Sequence, residues 1–403
     1  MIWTIQKAIF RTYHFIFGKL VPFLRIPIPE VYTGPGSVKK LPGLIRELGL
    51  KKILVVTDKG ITDIGLAEGL LEEMKKMGIA FTLFDRVQPN PTIDNIEEGR
   101  QIYLDEECDG IIGFGGGSPM DCAKIIGARV ANPTLSVFKM RGDFKIPKKL
   151  PKFFAVPTTA GTGSECTIAA IITDPDDHEK FAVNSFKLVP SHAALDPELM
   201  QSLPPGITAG PGMDVLTHAV EAYIGRVGYK FTDENAERAV RIVFQDLEDV
   251  YKDGSDLDKR HNMAVASYCA GLAFTRTAVG YVHAIAHNMG GLYGVPHGLA
   301  NAIILPYVLE YSRKDCEPKL ARLAVAGSLG VPGEPEDLLA DRFIAKVKSM
   351  NQNMNIPTFI AELKEKDISL IAQRAVAEAN PTYPVPRLMN QDQCEALVRR
   401  LLP

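Results

Sequence analysis

The chain has little cysteine and no paired cysteine motif. Its six cysteines (Cys108, Cys122, Cys166, Cys269, Cys316 and Cys394) are scattered, with no CxxC among them. That spacing argues against a disulfide framework and fits a reducing, cytoplasmic compartment with buried, inert thiols. Net positive charge is also missing. At a formal charge of -3 no global field draws the protein to nucleic acid. There is no internal repeat and no low-complexity tract.

Residues 1–29 lack acidic side chains altogether. They carry Lys7, Arg11, Lys19 and Arg25 among large apolar residues: Trp3, Ile5, Ile9, Phe10, Phe15, Ile16, Phe17, Leu20, Phe23 and Leu24. Arg11, Lys19 and Arg25 interrupt every apolar run well short of the ~20 residues of a spanning helix. No small-residue cleavage site follows, which argues against a signal peptide. Two readings stay open: a basic amphipathic segment on an anionic membrane surface, or a segment that packs on the body or on a partner subunit.

What is present is an ordinary soluble mix, 46% hydrophobic and 23% charged, spread over 403 residues. That length favours two domains, because single cores stop growing at roughly 250–300 residues. Residues 31–200 alternate β-branched runs with helical patterns. Lys52–Thr57, Ala80–Phe84, Gly110–Phe114 and Phe153–Pro157 read as strands; Ile64–Met77 and Ile93–Leu104 read as helices. Such alternation implies βαβ units and a mostly parallel sheet. The pattern changes at Leu203-Pro204-Pro205-Gly206-Ile207. Helical runs follow: Met213–Tyr223, Thr232–Tyr251, Lys259–Phe274, Val282–Met289, Leu299–Tyr311, Pro318–Ala326, Glu336–Met350, Pro357–Lys364 and Gln391–Leu402. The expected organisation is a 1–29 extension, a 30–204 α/β domain and a 205–403 helical domain.

Three stretches suit a nucleotide. Gly113-Phe114-Gly115-Gly116-Gly117-Ser118-Pro119 follows a strand and opens a helix near Pro119. Its glycine amides can approach an anion with no Cβ in the way, and the helix dipole favours negative charge. The alternative is a tight strand-to-helix turn. Pro157-Thr158-Thr159-Ala160-Gly161-Thr162-Gly163-Ser164-Glu165, also after a strand, offers hydroxyls to a ribose or phosphate, or to its own internal turns. Asp58 closes the Lys52–Thr57 strand. There it either accepts from a ribose 2′-hydroxyl and repels a 2′-phosphate, or caps a helix.

The strongest cluster is later. Asp214 and His218 sit at i, i+4 on one helix face, and His283 and His287 repeat that spacing. The Gly290–Pro296 stretch, with its three glycines and proline, is expected to end that helix, and His297 begins the next. Imidazole and carboxylate suit iron, zinc and related divalent metals. Spacing does not say which three or four of these groups bind. A zincin reading fails, because no glutamate lies between His283 and His287.

Five ordered blocks now resemble the iron-containing alcohol dehydrogenase family: GGGSPMDCAK (115–124), PTTAGTGSE (157–165), DVLTHAVEAY (214–223), VHAIAH (282–287) and VPHGLANAIILPYV (295–308). The resemblance covers about residues 30–390. It implies an N-terminal α/β dinucleotide-binding domain and an all-helical C-terminal metal-binding domain, a fold shared with dehydroquinate synthase, with the active site in the cleft between them. Asp214, His218, His283 and His297 match the family's metal ligands, and His287 a catalytic histidine that does not bind metal. Asp58, Asn90, Gly116, Gly117, Ser118, Thr158, Thr159, Thr162 and Lys180 match cofactor-contacting positions. Phe274 and Val279 fall where the family lines its substrate pocket.

Two departures touch the substrate side. Asn288-Met289 stands where many members have Pro-Leu. Thr275-Arg276-Thr277 replaces a small Ser-Asn type sequence, so Arg276 either favours an anionic or polar substrate or is spent on a subunit contact or a carboxylate. The resemblance implies hydride transfer between a primary or secondary alcohol, or its aldehyde or ketone, and a nicotinamide, with a divalent metal polarising the substrate oxygen. Four protein ligands leave room for substrate on five- or six-coordinate Fe²⁺ more readily than on Zn²⁺. Asp58 favours NAD over NADP. The family implies a homodimer or larger assembly. A dehydroquinate synthase-like lyase or cyclase would want more basic residues near the metal than Arg276 supplies. A non-catalytic membrane-surface or scaffolding protein would leave the five blocks without a purpose.

Overall fold

The computed structural model describes residues 2–175 and 180–403. Its contacts divide the chain into two compact units. One comprises Ile26–Leu203 and Gly254–Tyr268. The other comprises residues 1–25, Pro204–Asp253 and Cys269–Pro403. The chain begins with α1 (Ile2–Leu20), part of the second unit.

The first unit is an α/β fold. In chain order it runs β1 (Glu30–Thr33), α2 (Leu41–Glu47), β2 (Lys52–Val56), α3 (Lys59–Asp63), α4 (Glu68–Lys76), β3 (Ala80–Phe84), α5 (Ile93–Asp105), β4 (Gly110–Gly115), α6 (Gly117–Ala131), α7 (Val137–Met140), β5 (Gly142–Asp143), β6 (Lys152–Pro157), β7 (Ala169–Thr173), β8 (Lys180–Asn184) and β9 (His192–Leu195). Six strands form one parallel sheet in the order β1-β9-β6-β4-β2-β3. Successive residues of β2 feed opposite faces: Ile53 and Val55 join one apolar cluster, Leu54 and Val56 another. Both faces are therefore covered, as near-continuous β-branched strands require. β7 and β8 pair antiparallel in a separate small sheet with β5.

The order of the strands places the ligand end. From β2 the chain steps outward to β3, then returns to the other side of β2 as β4. The β2–β4 boundary is a topological switch point, where open α/β sheets bind ligands beyond the strand C-termini. Asp58 and the Gly115–Gly117 turn both emerge there.

The second unit is helical: α8 (Pro205–Ile224), α9 (Lys230–Lys252), the later part of α10 (Leu257–Thr277), α11 (Tyr281–Tyr293), α12 (His297–Ala326), α13 (Glu336–Asn353), α14 (Ile368–Ala379) and α15 (Gln391–Arg399). Residues 254–268, read from sequence as part of the helical domain, group with the α/β unit. Polar ties explain this: Gln201 donates to the Ser255 carbonyl, Arg260 to the Leu203 carbonyl, and His261 meets Thr33.

Four element expectations change. α11 does not stop at Gly290-Gly291. A glycine inside a helix costs only about 1 kcal/mol, and the helix ends instead at Gly294, whose φ of 69° supplies the left-handed cap. Leu299–Tyr311 and Pro318–Ala326 are joined in α12, which kinks at Cys316 (φ -136°) two residues before Pro318. The expected helix Ile64–Met77 starts only at Glu68 as α4, after a turn at Gly65 (φ 67°) that separates it from α3. Pro357–Lys364 is not helical; Ile360 N–H instead donates to the Leu401 carbonyl.

Candidate metal and cofactor sites

Three helices converge on one carboxylate. Asp214 and His218 come from α8, His283 from α11, and His297 is the first residue of α12. Asp214 Oδ1 lies 3.5 Å from His283 Nε2, 3.7 Å from His297 Nε2 and 3.8 Å from His218 Nδ1. α12 reaches α8 this closely because Gly298 faces Gly210. A Cβ at 298 would sit 2.5 Å from the Gly210 carbonyl group, a contact no side chain tolerates.

Donor atoms of Asp214, His283 and His297 lie within 4.8 Å of one another, a spacing that fits a single cation. His218 falls outside that trio. Its ring stacks with Phe274, at 4.2 Å, and with His283, at 4.4 Å. Its Nδ1 is nonetheless buried without a hydrogen-bond partner among the described residues. An orphaned imidazole nitrogen facing Asp214 is a group awaiting a ligand, so the donor set fits a divalent metal.

The ligand tautomers are fixed from behind. Glu221 Oε2 accepts from His283 Nδ1 at 2.6 Å and from Gly280 N–H at 2.8 Å; Oε1 accepts from Val282 N–H at 2.8 Å. This directs His283 Nε2 toward Asp214, the outer-shell arrangement typical of metal histidines. Only glycine fits at 280, since a Cβ would lie 2.6 Å from Glu221 Oε1. Asn301, one turn after His297, donates Nδ2 to Asp214 Oδ1 at 2.6 Å and lies 3.1 Å from both His283 Nε2 and His297 Nε2.

The charges follow from these contacts. Burial opposes ionisation of Asp214, but the surrounding histidines outweigh it and hold the carboxyl well below the usual range. Burial likewise opposes charge on His283, yet hydrogen bonds to Asp214 and Glu221 raise it to about 9. Burial lowers His218 to about 3 and His297 well below its ordinary value. A cation must displace the His283 Nε2 proton, so its affinity depends on pH.

His287 lies one turn beyond His283. Its Nδ1 meets Glu378 Oε1 at 2.7 Å, and its ring stacks on His297 at 5.4 Å. Tyr383 also donates to Glu378. Val279 is half-buried between α10 and α11. Arg276 is buried, with its guanidinium 4.9 Å from the Phe231 ring and Nη1 donating to the Leu272 carbonyl of its own helix.

In the α/β unit the two glycine–threonine loops meet. Thr158 N–H donates to the Gly115 carbonyl. A Cβ on Gly117 would lie 2.8 Å from Thr162 Cγ2, and one on Gly116 3.4 Å from Thr159 Oγ1. Gly116 and Gly117 start α6, so bare amides face the switch point, the cradle an anionic pyrophosphate requires. Asn90, in a left-handed conformation at φ 60°, receives Lys180 Nζ on Oδ1 at 2.7 Å and donates its N–H to Ser118 Oγ at 3.2 Å. Burial lowers Lys180 to about 8. Thr162 Oγ1 accepts from Ser164 N–H within its own loop. Asp58 caps α3 by accepting from Ile61 N–H at 3.1 Å.

Glu221, Asn301 and Glu378 were not singled out from sequence. Glu221 follows His218 within the DVLTHAVEAY block, and Asn301 stands at i+4 from His297; each spacing is a helical signal for a shared face. A further missed pair is Asp121 and Lys124. Asp121 accepts from Ser164 Oγ and Ile171 N–H, and Lys124 donates to the Thr167 and Ala169 carbonyls. Together they fix α6 to the threonine loop and to β7.

A glycine cradle at the switch point of one unit and an aspartate–histidine cluster in the other fit a metal- and dinucleotide-dependent enzyme. Two family models match the chain: "Iron-containing alcohol dehydrogenase" over residues 29–197 and "Fe-containing alcohol dehydrogenase family, C-terminal" over residues 208–402. The chain belongs to the iron-containing alcohol dehydrogenase family and is an alcohol–aldehyde oxidoreductase. It is 37% identical to the 1,3-propanediol dehydrogenase of Klebsiella pneumoniae, with 93% of this chain and 97% of that one covered. It is 34% identical to the NAD-dependent methanol dehydrogenase of Bacillus methanolicus, over 93% and 98%. A solved 1,3-propanediol oxidoreductase superposes with a TM-score of 0.89 at 36% identity, covering 93% of this chain and 98% of that one.

Proposed function

We propose that the chain oxidises or reduces a small alcohol–aldehyde pair with NAD, using Fe²⁺ held by Asp214, His283 and His297 with His218 as fourth ligand. The observation that carries this reading is the convergence of three imidazoles on Asp214 Oδ1, backed by Glu221. The metal, when bound, supplies a Lewis acid for the substrate oxygen. The protein's own groups do the rest. Asp214 provides the negative charge that retains a cation. Glu221 holds a proton on His283 Nδ1 and so aims Nε2 at the cation. His287, held by Glu378, moves or holds the alcohol proton at Nε2. Phe274 and Val279 offer the apolar wall. Arg276 is spent on Phe231 and on its own helix, which supports a neutral substrate over an anionic one.

Gly116, Gly117 and Ser118 with Thr158, Thr159 and Thr162 bind the pyrophosphate, and Asn90 with Lys180 anchors its neighbouring sugar or phosphate. Asp58 favours NAD: its carboxylate, even while capping α3, keeps a negative field where a 2′-phosphate would lie. Six free, buried cysteines support a cytoplasmic setting. A homodimer is the assembly the family suggests. The test is a panel of short alcohols and aldehydes with NAD(H) and NADP(H). Turnover with NAD(H) at least tenfold better than with NADP(H) supports the reading; an NADP preference removes the role given to Asp58. A His287→Ala variant with unchanged turnover at every pH removes the role given to that histidine.

A further inference from the structure

The family models begin at residue 29, so α1 is not accounted for by the shared fold. The helix is docked by a polar face. Arg11 donates to the Val385 and Pro386 carbonyls at 2.6 Å each, and buried His14 meets the Pro381 carbonyl at 2.8 Å. Gly18 faces Val227, whose Cγ1 would lie 3.3 Å from a Cβ at position 18. These residues follow one another at i, i+3, i+7, so one face of α1 lies on the helical unit.

The opposite face is apolar and open. Ile5, Ile9, Ile16 and Leu20 are each between 52% and 59% exposed, and Tyr13 lies among them at 42%. At 3.6 residues per turn these five fall within roughly a quarter of the helix circumference, diametrically across from Arg11, His14 and Gly18. An ordinary surface helix buries its apolar stripe and exposes charge; α1 is inverted. The stripe runs roughly 22 Å along the helix. Beyond its end the chain turns at Val21–Phe23 and presents Phe23, 83% exposed, and Leu24. Exposed Lys19 borders the stripe, its ammonium group 5.6 Å from the Phe15 ring, whereas Lys7 projects from the docked side of the helix, 6.0 Å from the Trp3 ring. Arg25 follows, and no acid occurs before Glu30.

We propose that α1 and the following turn form an interfacial anchor that lays the protein on an anionic lipid bilayer. Among the described residues no helix is long and apolar enough to cross a membrane, so the mode is insertion of the stripe parallel to the surface, with Lys19 and Arg25 at the headgroups. Charge selects this occupant over a second copy of the chain. A two-fold contact through the stripe would bring Lys19 of both copies beside one apolar seam, with no acid in the helix to pair them.

The test uses the full-length, metal-loaded protein in flotation with phosphatidylcholine vesicles, with and without phosphatidylglycerol. Wild type is expected to float with the phosphatidylglycerol vesicles and to be released by salt. Lys19→Gln/Arg25→Gln should lower the partition coefficient about 30-fold, at ~1 kcal/mol for each basic side chain. Ile9→Glu/Ile16→Glu should lower it at least about 30-fold, with unchanged Tm and unchanged turnover of a water-soluble alcohol, because both side chains are exposed. The proposal is overturned by absence of flotation with either vesicle, or by equal flotation of the glutamate variant. It is equally overturned if that variant changes the mass of the lipid-free assembly in light scattering, which would make a second copy the occupant.

Discussion

Glu221 is the most informative residue to change. Its carboxylate accepts three hydrogen bonds in a buried site, from Gly280 N–H, Val282 N–H and His283 Nδ1. Glutamine has nearly the same shape but only one acceptor oxygen. Placed on the Oε2 side, that oxygen still serves Gly280 and His283, yet the amide NH₂ then opposes Val282 N–H. The bond to His283 also loses its charge assistance. A charged hydrogen bond contributes about 1.5–3 kcal/mol. If that loss falls on the metal-competent orientation of His283, affinity drops about 10–100-fold, the usual range for an outer-shell partner. The assay is metal content by mass spectrometry after dialysis against graded chelator, with turnover measured on the same samples. Glu221→Gln should release metal at lower chelator concentration than wild type and regain turnover when metal is added in excess. Identical metal retention in the two proteins would refute the reasoning.

Three other outcomes follow from the same geometry. Gly298→Ala should lose metal while remaining folded by circular dichroism, since its Cβ forces α12 and His297 away from Gly210 and α8. Glu165 is buried in the threonine loop, and burial raises its carboxyl from 4.5 to about 7. Because the folded value lies above the unfolded one, its stability contribution is full below about pH 4.5 and is lost as pH rises through about 7. Glu165→Gln should therefore gain up to about 3 kcal/mol over wild type at pH 8 and little at pH 4.5, read from thermal melts. Lys180, lowered to about 8 by burial, loses its charge above that pH, so kcat/KM for NAD should fall there. Lys180→Arg should carry the plateau to higher pH.

Much of this architecture is legible in sequence, because the signals are local. Lys52–Val56 and Gly110–Gly115 are β-branched or glycine-ended runs buried on both faces, and they read as parallel strands. β1 and β9 are four residues each and owe their pairing to neighbours far along the chain, so no local pattern marks them. The β7–β8 pair escaped for the same reason. The metal cluster could be nominated from i, i+4 spacing on α8 and α11, while the ligand roles needed the family resemblance. Glu221 and Glu378 were not legible as partners, because each acts on a histidine of another helix and only packing brings them together. The first half of α10 was placed with the helical domain since its sequence is helical; which unit it joins is decided by Arg260, Ser255 and His261.

The central claim is that one cation held at Asp214 makes this chain an alcohol–aldehyde oxidoreductase. Metal analysis of anaerobically purified wild type and Asp214→Ala, each assayed with NAD(H) on the alcohol and aldehyde panel, tests it most directly. The account predicts about one iron per wild-type chain. In Asp214→Ala both the metal and the turnover should disappear while the fold persists. Stoichiometric metal in Asp214→Ala, or full turnover by chelated wild type, would contradict it.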